Sequence, residues 1–283
     1  MANDPSVGPL TAGTPETCDL ARRFGGVTRL LGEPAHARLR AARIAVVGVG
    51  GVGSWAAEAL ARCGVERITL IDLDHVAESN ANRQIQALEG EFGKAKVIAM
   101  AERIAAINPR AQVTCVEEFV SETNLSGVIR DFDLVLDCID QVSAKAALIA
   151  HARAAGLALV TCGAAGGRTD PTRIRCADLA RAAGDPLLAK VRYRLRRRHG
   201  FPRESANRRP LFGVEAVYSD EPVRRPVPGC SSAEVSDPAK SVGISSGLAC
   251  AGYGSSVTVT APLGFAAAAR AIDRIVRRSE QAS

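Results

Sequence analysis

A glycine-rich turn between two apolar segments is the feature of this sequence that most directly indicates chemistry. Residues 43–47 form an apolar run, and Gly48, Gly50 and Gly53 follow it at the spacing G-x-G-x-x-G. A second apolar run ends at Asp72. In a nucleotide-binding turn the first glycine permits the tight turn, the second lets the backbone approach the ligand, and the third lets the helix pack on the strand. The helix N-terminus then faces a phosphate, and Asp72 can accept from ribose hydroxyls. The alternative is a tight strand–helix turn that binds nothing.

Two cations and an acid downstream of the turn help to distinguish an ATP site from an NAD site. Arg83 and Lys96 follow the second apolar run, and Asp140 follows a third run at residues 133–137. Hydride transfer with NAD does not need two cations here. A triphosphate with a metal does, because cations neutralise charge on the phosphates and a carboxylate holds Mg²⁺. The set favours ATP with Mg²⁺, and the alternative is that both cations are solvated charges of a loop and a helix.

The chain resembles the ubiquitin-activating-type (ThiF-like) adenylating enzymes, the family that includes activators of sulfur-carrier proteins in the molybdopterin and thiamine pathways. Within it, the chain is similar to the branch that dehydrates threonylcarbamoyladenosine in tRNA, whose motifs around Trp55 and Asp170 it shares. The resemblance is close over roughly residues 20–200 and looser beyond. The segments that carry it are 23–26, 48–62, 82–85, 101–104, 107–109, 145–150 and 166–172.

The resemblance implies an activity. The threonine carboxylate of threonylcarbamoyladenosine, the modified base next to the anticodon, would be joined to AMP with release of pyrophosphate. An acyl adenylate is a better electrophile than a carboxylate, and attack from within the same side chain would close a ring as AMP leaves, with overall loss of water. Proximity is built into the substrate, so the protein need not supply a catalytic cysteine.

The resemblance also implies roles for individual residues. Arg83 and Lys96 would stabilise charge on the phosphates, Asp140 would hold Mg²⁺, and a homodimer would bring Arg23 of one subunit to the site of the other. The nucleotide-binding residues expected on this basis are Gly48, Gly50, Gly51, Gly53, Asp72, Asp74, Asn80, Arg83, Gln84, Lys96 and Asp140. A monovalent cation (Na⁺ or K⁺) and a sulfur-acceptor or cysteine-desulfurase partner are further expectations of the resemblance.

The cysteines argue against a zinc site. None of the eight forms a C-x-x-C pair, whereas carrier-protein activators commonly hold zinc with two such pairs. Cys230 lies in a segment rich in Pro, Gly and Ser and is the candidate reactive thiol, with an inert loop cysteine as the alternative. Four other cysteines lie in apolar runs and are expected to be reduced core residues: Cys63, Cys115, Cys138 and Cys162.

Alternation of apolar strands with helices predicts an α/β fold, a doubly wound, Rossmann-like and mostly parallel sheet. Strands are expected near 43–47, 67–71, 112–117, 133–137 and 157–162, and helices near 53–63, 94–107, 121–130 and 141–155. The C-terminal part is expected to add antiparallel strands at 172–176 and 213–219, a further strand at 255–260 and a final helix opened by Pro262. The domains expected are a disordered tail at 1–19 with no signal-peptide pattern, an ATP-binding domain at 20–165, and a part for tRNA binding and dimerisation at 166–283.

A basic segment indicates a polyanionic partner. Residues 190–209 contain nine Lys or Arg and one Glu, in a chain whose net charge is +6. Phosphates of tRNA would bind such a segment, and Tyr193 offers a ring for stacking on an unpaired base. The arginines expected to contact tRNA are Arg192, Arg194, Arg196, Arg197 and Arg198. The alternative is a solvated helix face and loop.

Residues 241–269 contain no charged residue. A membrane span is one interpretation, but Gly and Ser are frequent there, so buried elements at a subunit interface and a cytoplasmic protein are expected. Two other functions stay open. An activator of a sulfur-carrier protein would show ATP–pyrophosphate exchange that depends on a carrier protein. An NAD-binding oxidoreductase or a non-catalytic nucleotide sensor would bind NAD in preference to ATP.

Overall fold

The computed structural model describes residues 19–205, 208, 210–224 and 253–277. Seven strands form one sheet: β1 (Arg43–Val47), β2 (Arg67–Ile71), β3 (Gln112–Val116), β4 (Leu134–Asp137), β5 (Ala158–Cys162), β6 (Ile174–Asp178) and β7 (Glu215–Ser219). The α-helices are α1 (Leu20–Leu31), α2 (Glu33–Ala41), α3 (Gly53–Arg62), α4 (Lys96–Ile107), α5 (Leu125–Val128), α6 (Val142–Ala154), α7 (Pro186–Arg198) and α8 (Val257–Arg277). Short 3₁₀ turns cover Glu78–Asn80, Pro171–Arg173 and Leu179–Arg181.

The strand order is β3-β2-β1-β4-β5-β7-β6. All pairs are parallel except β6 with β7, which is antiparallel. The predicted α/β fold is therefore confirmed, together with the antiparallel addition after residue 165. The chain leaves β1 toward β2 on one side, while β4 lies on the other side. A crevice opens at such a reversal, outside the carboxyl ends of the strands, and ligands of α/β proteins bind there.

Helices cover both faces of the sheet and define two apolar cores. One core joins the sheet to α2, α3, α4 and α8, and the other joins it to α5, α6 and α7. Much of the interface between α3 and α8 is made of Ala and Gly, which lets the two helices approach closely. A Cβ atom on Gly264 of α8 would lie 2.5 Å from the Val52 carbonyl oxygen, just ahead of α3.

The expectation of a strand at 255–260 was wrong, as was the expectation that Pro262 opens the last helix. Helix α8 already begins at Val257, and Pro262 lies inside it. Valine and threonine favour strands because they fit a pleated surface. Here, however, Val259, Leu263 and Ala267 recur at helical spacing and are buried against α3 and the sheet. Tertiary packing overrides the local preference.

Other expectations need smaller corrections. The helix expected at 121–130 is limited to the single turn of α5, Leu125–Val128. Helices α1 and α2 lie in a segment for which no elements were assigned. Among the predicted core cysteines, Cys115 and Cys162 are buried, whereas Cys63 and Cys138 are partly exposed, and all four are free thiols. Cys230 lies outside the described residues. No helix in the described part of the chain is long and apolar enough to cross a membrane.

Candidate functional site

The glycine turn lies at the carboxyl end of β1. Gly48 has a φ of 88°, and a Cβ atom there would lie 2.9 Å from the Cys138 carbonyl oxygen. A Cβ atom on Gly53 would lie 1.8 Å from the carbonyl oxygen of Gly48. Gly50 differs, because nothing lies within 4 Å of a Cβ atom built on it. Helix α3 starts without a side-chain cap, although the Ser54 N–H in its first turn donates to the Gly50 carbonyl at 3.0 Å. A helix N-terminus without such a cap is a place where an anion can bind.

Side chains form hydrogen bonds with both the backbone N–H and the backbone carbonyl of Val49. Its N–H donates to Asp72 Oδ2 at 2.6 Å, and its carbonyl accepts from Gln86 Nε2 at 3.0 Å. The other oxygen of Asp72 accepts from the Asp74 N–H at 2.9 Å. Burial raises the pKa of Asp72, while the charge of Lys96 acts in the opposite direction. Asp72 thus orders the turn and keeps lone pairs for a further donor. Gln86 is 2 % exposed, and its role was missed because glutamine in a loop carries no signal of its own.

The two predicted cations lie beside this turn and neither is fully solvated. Lys96, at the first position of α4, is 6 % exposed, and its Nζ lies 2.7 Å from Asp74 Oδ2. Arg83 Nη1 donates to the Ser79 carbonyl at 2.6 Å and to Asn82 Oδ1 at 2.9 Å. The side chain of Arg83 also passes within 3.3 Å of a Cβ atom built on Gly51. Lys96 is therefore ion-paired with the expected Asp74, and the Arg83 side chain lies next to the expected Gly51.

Asp140 lies in the loop that follows β4. Its carboxylate is exposed and makes no hydrogen bond within the described residues. That loop packs on the glycine turn, since the Cys138 carbonyl is the group that a side chain at Gly48 would strike. An exposed carboxylate in a loop that packs on the glycine turn fits a ligand for a phosphate-bound metal ion. Among the described residues, no group of three His, Cys, Asp or Glu is arranged to hold a metal by itself.

A buried ion pair supports the loop of Asp140. Lys145 and Asp137 are both 0 % exposed, with 2.9 Å between Nζ and Oδ2. Lys145 Nζ also donates to the Ile139 carbonyl at 2.9 Å, and Thr161 Oγ1 donates to Asp137 Oδ2 at 2.6 Å. Burial raises the pKa of Asp137, and the charge of Lys145 opposes this effect. Sequence analysis missed the pair, although a lysine amid the apolar residues of 144–149 was a usable signal.

Three other predicted residues have structural contacts of their own. Asn80 Oδ1 accepts from the Ala77 N–H at 3.2 Å, and Gln84 Oε1 accepts from Gln86 at 3.1 Å. Arg23 Nη1 donates to the Ile107 carbonyl at 2.6 Å, at the end of α4. Helix α4 begins at the carboxyl edge of the sheet, so within its own subunit Arg23 lies away from the glycine turn. Its assignment to a partner's site stays a prediction.

The basic segment divides into two sets. Arg192 donates to the Ala182 carbonyl, and Arg196 binds Glu204 at 2.7 Å and the Pro202 carbonyl at 3.3 Å. Both guanidinium groups are therefore partly engaged within the protein, and burial lowers the pKa of Arg192. The second set lines an open groove of about 490 Å³ between α7 and the start of α6, together with Ala189: Val142, Lys190, Tyr193, Arg194, Arg197 and Arg198.

Arg168 and Asp185 join this helix to the carboxyl edge of the sheet. Both side chains are 0 % exposed, with 3.0 Å between Nη1 and Oδ2. Asp185 caps α7 by accepting from the Leu188 N–H at 2.9 Å and also accepts from the Ala164 N–H at 2.9 Å. Arg168 donates to the carbonyls of Ala164, Gly184 and Glu221. These contacts set the start of α7 relative to the loops after β5 and β7.

The chain is similar to known proteins in both sequence and structure. Residues 26–283 match the ThiF family. The chain is 42% identical over 261 residues to the tRNA threonylcarbamoyladenosine dehydratase of Haemophilus influenzae, covering 91% of this chain and 94% of that protein. It is 43% identical over 262 residues to the protein of that name from Escherichia coli, covering 91% and 95%.

Solved structures agree with these matches. The E. coli tRNA N6-threonylcarbamoyladenosine dehydratase in complex with ATP matches with a TM-score of 0.81 and 41% identity, covering 94% of this chain and 99% of that chain. The E. coli molybdopterin-synthase adenylyltransferase is 38% identical, but over only 44% of this chain and 49% of its own. Likeness to the dehydratases therefore extends over nearly all of both chains, and likeness to the adenylyltransferase over less than half.

Proposed function

The chain belongs to the ThiF family, and on that premise we propose that it is an ATP-dependent tRNA threonylcarbamoyladenosine dehydratase. The observation that carries this proposal is likeness over nine tenths of both chains to proteins of that name. The relative whose solved structure contains ATP supports ATP as the nucleotide. The same likeness makes the cytoplasm, where tRNA is found, the expected compartment.

We assign the nucleotide to the crevice beside the glycine turn. The phosphates approach Gly50 and the first turn of α3, where N–H groups and open space coincide. Asp72 accepts from the ribose, and Arg83 with Lys96 stabilises charge on the phosphates. Asp140 would hold Mg²⁺, which proteins bind through one or two carboxylates together with substrate phosphates. The ion would supply further neutralisation of phosphate charge.

The chemistry we propose has two steps. A carboxylate oxygen of the threonine attacks the α-phosphorus of ATP, and pyrophosphate leaves. A nucleophile of the same threonylcarbamoyl side chain then attacks the activated carbonyl, AMP leaves with the carboxylate oxygen, and one proton is released. The overall change in the nucleoside is the loss of one water. Holding both reacting groups on one substrate makes the second step intramolecular, which favours ring closure.

We propose that tRNA binds along the groove-facing cations of α7. Lys190, Arg194, Arg197 and Arg198 line one surface, and both Arg197 and Arg198 lie three or four positions after Arg194, as helical neighbours require. Replacing Arg194, Arg197 and Arg198 with Ala should weaken tRNA binding and flatten the dependence of log affinity on log salt by at most about 0.9 per lost contact. Arg67→Ala is the matched control, because Arg67 is exposed at the amino end of β2, on the opposite edge of the sheet.

A homodimer with Arg23 acting in the partner's site is part of the proposal. If Arg23 acts across the interface, mixing the variants Arg23→Ala and Lys96→Ala should restore part of the turnover, because one intact site can assemble in a mixed dimer. A monovalent cation and a sulfur-transfer partner belong to the proposal through the resemblance alone. A dependence of turnover on Na⁺ or K⁺ would test the first of these.

Mass spectrometry of tRNA nucleosides tests the main proposal. Incubation of tRNA carrying threonylcarbamoyladenosine with the protein, ATP and Mg²⁺ should shift that nucleoside by the mass of one water. NAD in place of ATP should give no shift. ATP–pyrophosphate exchange that requires a sulfur-carrier protein and proceeds without tRNA would overturn the proposal in favour of a carrier-protein activator.

A further inference from the structure

The groove along α7 contains an exposed aromatic side chain as well as cations. An aromatic ring lies in its middle: Tyr193 is 62 % exposed, the most exposed aromatic side chain in the described part of the chain. Lys190 precedes it by three residues and Arg197 follows it by four, so both flank the ring on one helix face. Residues on the opposite face are buried, namely Leu187, Leu188, Val191 and Leu195.

Arg197 orients the ring. Its Nη1 donates to the Tyr193 hydroxyl at 3.0 Å, and its guanidinium carbon lies 6.0 Å from the centre of the ring. The contact restrains the ring in the groove, although the ring buries little of its own surface. An exposed ring beside several cations is how proteins bind single-stranded nucleic acid, with bases stacked on the ring and phosphates neutralised alongside.

The groove adjoins the nucleotide site. Val142, which lines the groove, is the first residue of α6 and follows Asp140 by two positions. A tRNA lying in the groove therefore has its unpaired nucleotides within a few residues' length of the assigned Mg²⁺ ligand.

We propose that Tyr193 is a stacking platform for an unpaired base of the anticodon loop, adjacent to the modified nucleotide that reacts. The inference rests on the proposed function, because it takes tRNA as the substrate. It assigns two separable duties to one groove. Tyr193 binds a base and distinguishes a loop from a duplex, whereas Lys190, Arg194, Arg197 and Arg198 bind phosphates of either.

Because base stacking and phosphate binding are assigned to different side chains, separate variants can test them. Binding of the full-length protein to an anticodon stem–loop that carries threonylcarbamoyladenosine is measured by fluorescence anisotropy over a range of salt. Tyr193→Ala should weaken this binding roughly 5- to 150-fold, the range for one stacked base, and leave the salt slope unchanged. Tyr193→Phe keeps the ring but loses the hydrogen bond from Arg197, and it should retain most of the binding that Tyr193→Ala loses. Arg197→Ala should lower the salt slope by about 0.7–0.9.

A duplex RNA without a loop is the matched probe, because it offers phosphates but no unstacked base. The wild type and Tyr193→Ala should bind it equally. If Tyr193→Ala binds the stem–loop as the wild type does, or weakens duplex binding to the same extent, the groove holds only the RNA backbone and the inference is overturned. Thermal unfolding shows whether the variants are folded, and an exposed helix position tolerates Ala well.

The proposed function is tested separately in the same preparation. Wild-type protein that removes water from the modified nucleoside while Tyr193→Ala binds normally overturns the stacking platform alone. Wild-type protein that neither binds the stem–loop nor removes water overturns the proposed function itself.

Discussion

Lys145 Nζ lies 2.9 Å from Asp137 Oδ2, and both side chains are completely buried at the carboxyl end of β4. The same ammonium group reaches the Ile139 carbonyl, one residue before Asp140. Placing two charges in the interior carries a large desolvation cost, which mutual attraction repays only with good geometry and further hydrogen bonds. The location of the pair beneath the loop of Asp140 indicates that its contribution is to order that loop.

Lys145→Met should destabilise the protein by about 3–5 kcal/mol, because it leaves the Asp137 carboxylate buried without its partner. It should also weaken the dependence of ATP binding on Mg²⁺, since the loop of Asp140 loses a donor. The double variant Asp137→Asn/Lys145→Met should recover much of the stability, and urea unfolding measures both. Equal destabilisation in the single and double variants would show that the charge pair is not the source of the effect.

Arg83→Ala and Lys96→Ala should each lower turnover by about two orders of magnitude, corresponding to roughly 3 kcal/mol of transition-state stabilisation per preorganised charge. The rate of water loss from the modified nucleoside at saturating ATP is the measurement, with circular dichroism as the check on folding. Lys94→Ala is the control, because Lys94 lies two residues before Lys96 and is paired with Glu91 and with Glu102 of α4. Wild-type rates in either test variant would show that the replaced cation does not stabilise the transition state.

Asp185→Ala should lower the free energy of unfolding by about 3–5 kcal/mol. The variant leaves the buried Arg168 without its carboxylate partner and also removes the N-cap of α7. Asp19→Ala removes only an exposed cap, the bond from the Arg22 N–H at 2.9 Å, and should cost about 1 kcal/mol. Chemical denaturation compares the two. Similar losses would mean that Asp185 acts as a cap and that the ion pair contributes nothing further.

Gly264→Ala should destabilise the protein by about 1–3 kcal/mol through overpacking, and it should weaken ATP binding. A Cβ atom at this position would press on the Val52 carbonyl and on Trp55, where α3 leaves the glycine turn. Gly127→Ala is the control, since open space surrounds that position in α5. Alanine there should raise the free energy of unfolding by about 0.5–1 kcal/mol. Reduced stability with unchanged ATP affinity would show that α8 does not restrain the turn.

Stability should depend on pH through Asp72. Burial raises the pKa of Asp72 in the folded state above its ordinary value of about 3.9. The folded protein therefore holds this proton more tightly than the unfolded chain. The associated stability is fully present below about pH 4 and is lost as pH rises through the folded-state pKa. Asp72→Asn should remove this component, which appears as the difference between wild-type and variant urea unfolding at successive pH values. Parallel pH profiles would contradict it.

Strands β1 to β5 and the glycine turn were predictable because their signals are local. Near-continuous apolar runs of about five residues identify buried parallel strands, and residues 43–47 and 67–71 occur as strands within those limits. The positions of Gly48 and Gly53 follow from steric contacts with chain segments close by. Asp72 was predictable for the same reason, since its distance along the chain from the turn is set by one helix and one strand.

The sequence by itself determined the fold class and the glycine turn, because these depend on backbone sterics and on which residues avoid water. Only the tertiary structure decided how distant segments combine. It made residues 257–260 helical through contacts with α3 and the sheet. It placed Lys145 in the interior beneath Asp140. It also placed Arg192 and Arg196 outside the groove, where they bind Ala182 and Glu204, whereas Arg194 lines the groove while paired with Glu122 at 3.8 Å. The physical reason is that neighbours in the chain specify local conformation, whereas the partner of a charge or an apolar face is a residue far away in sequence.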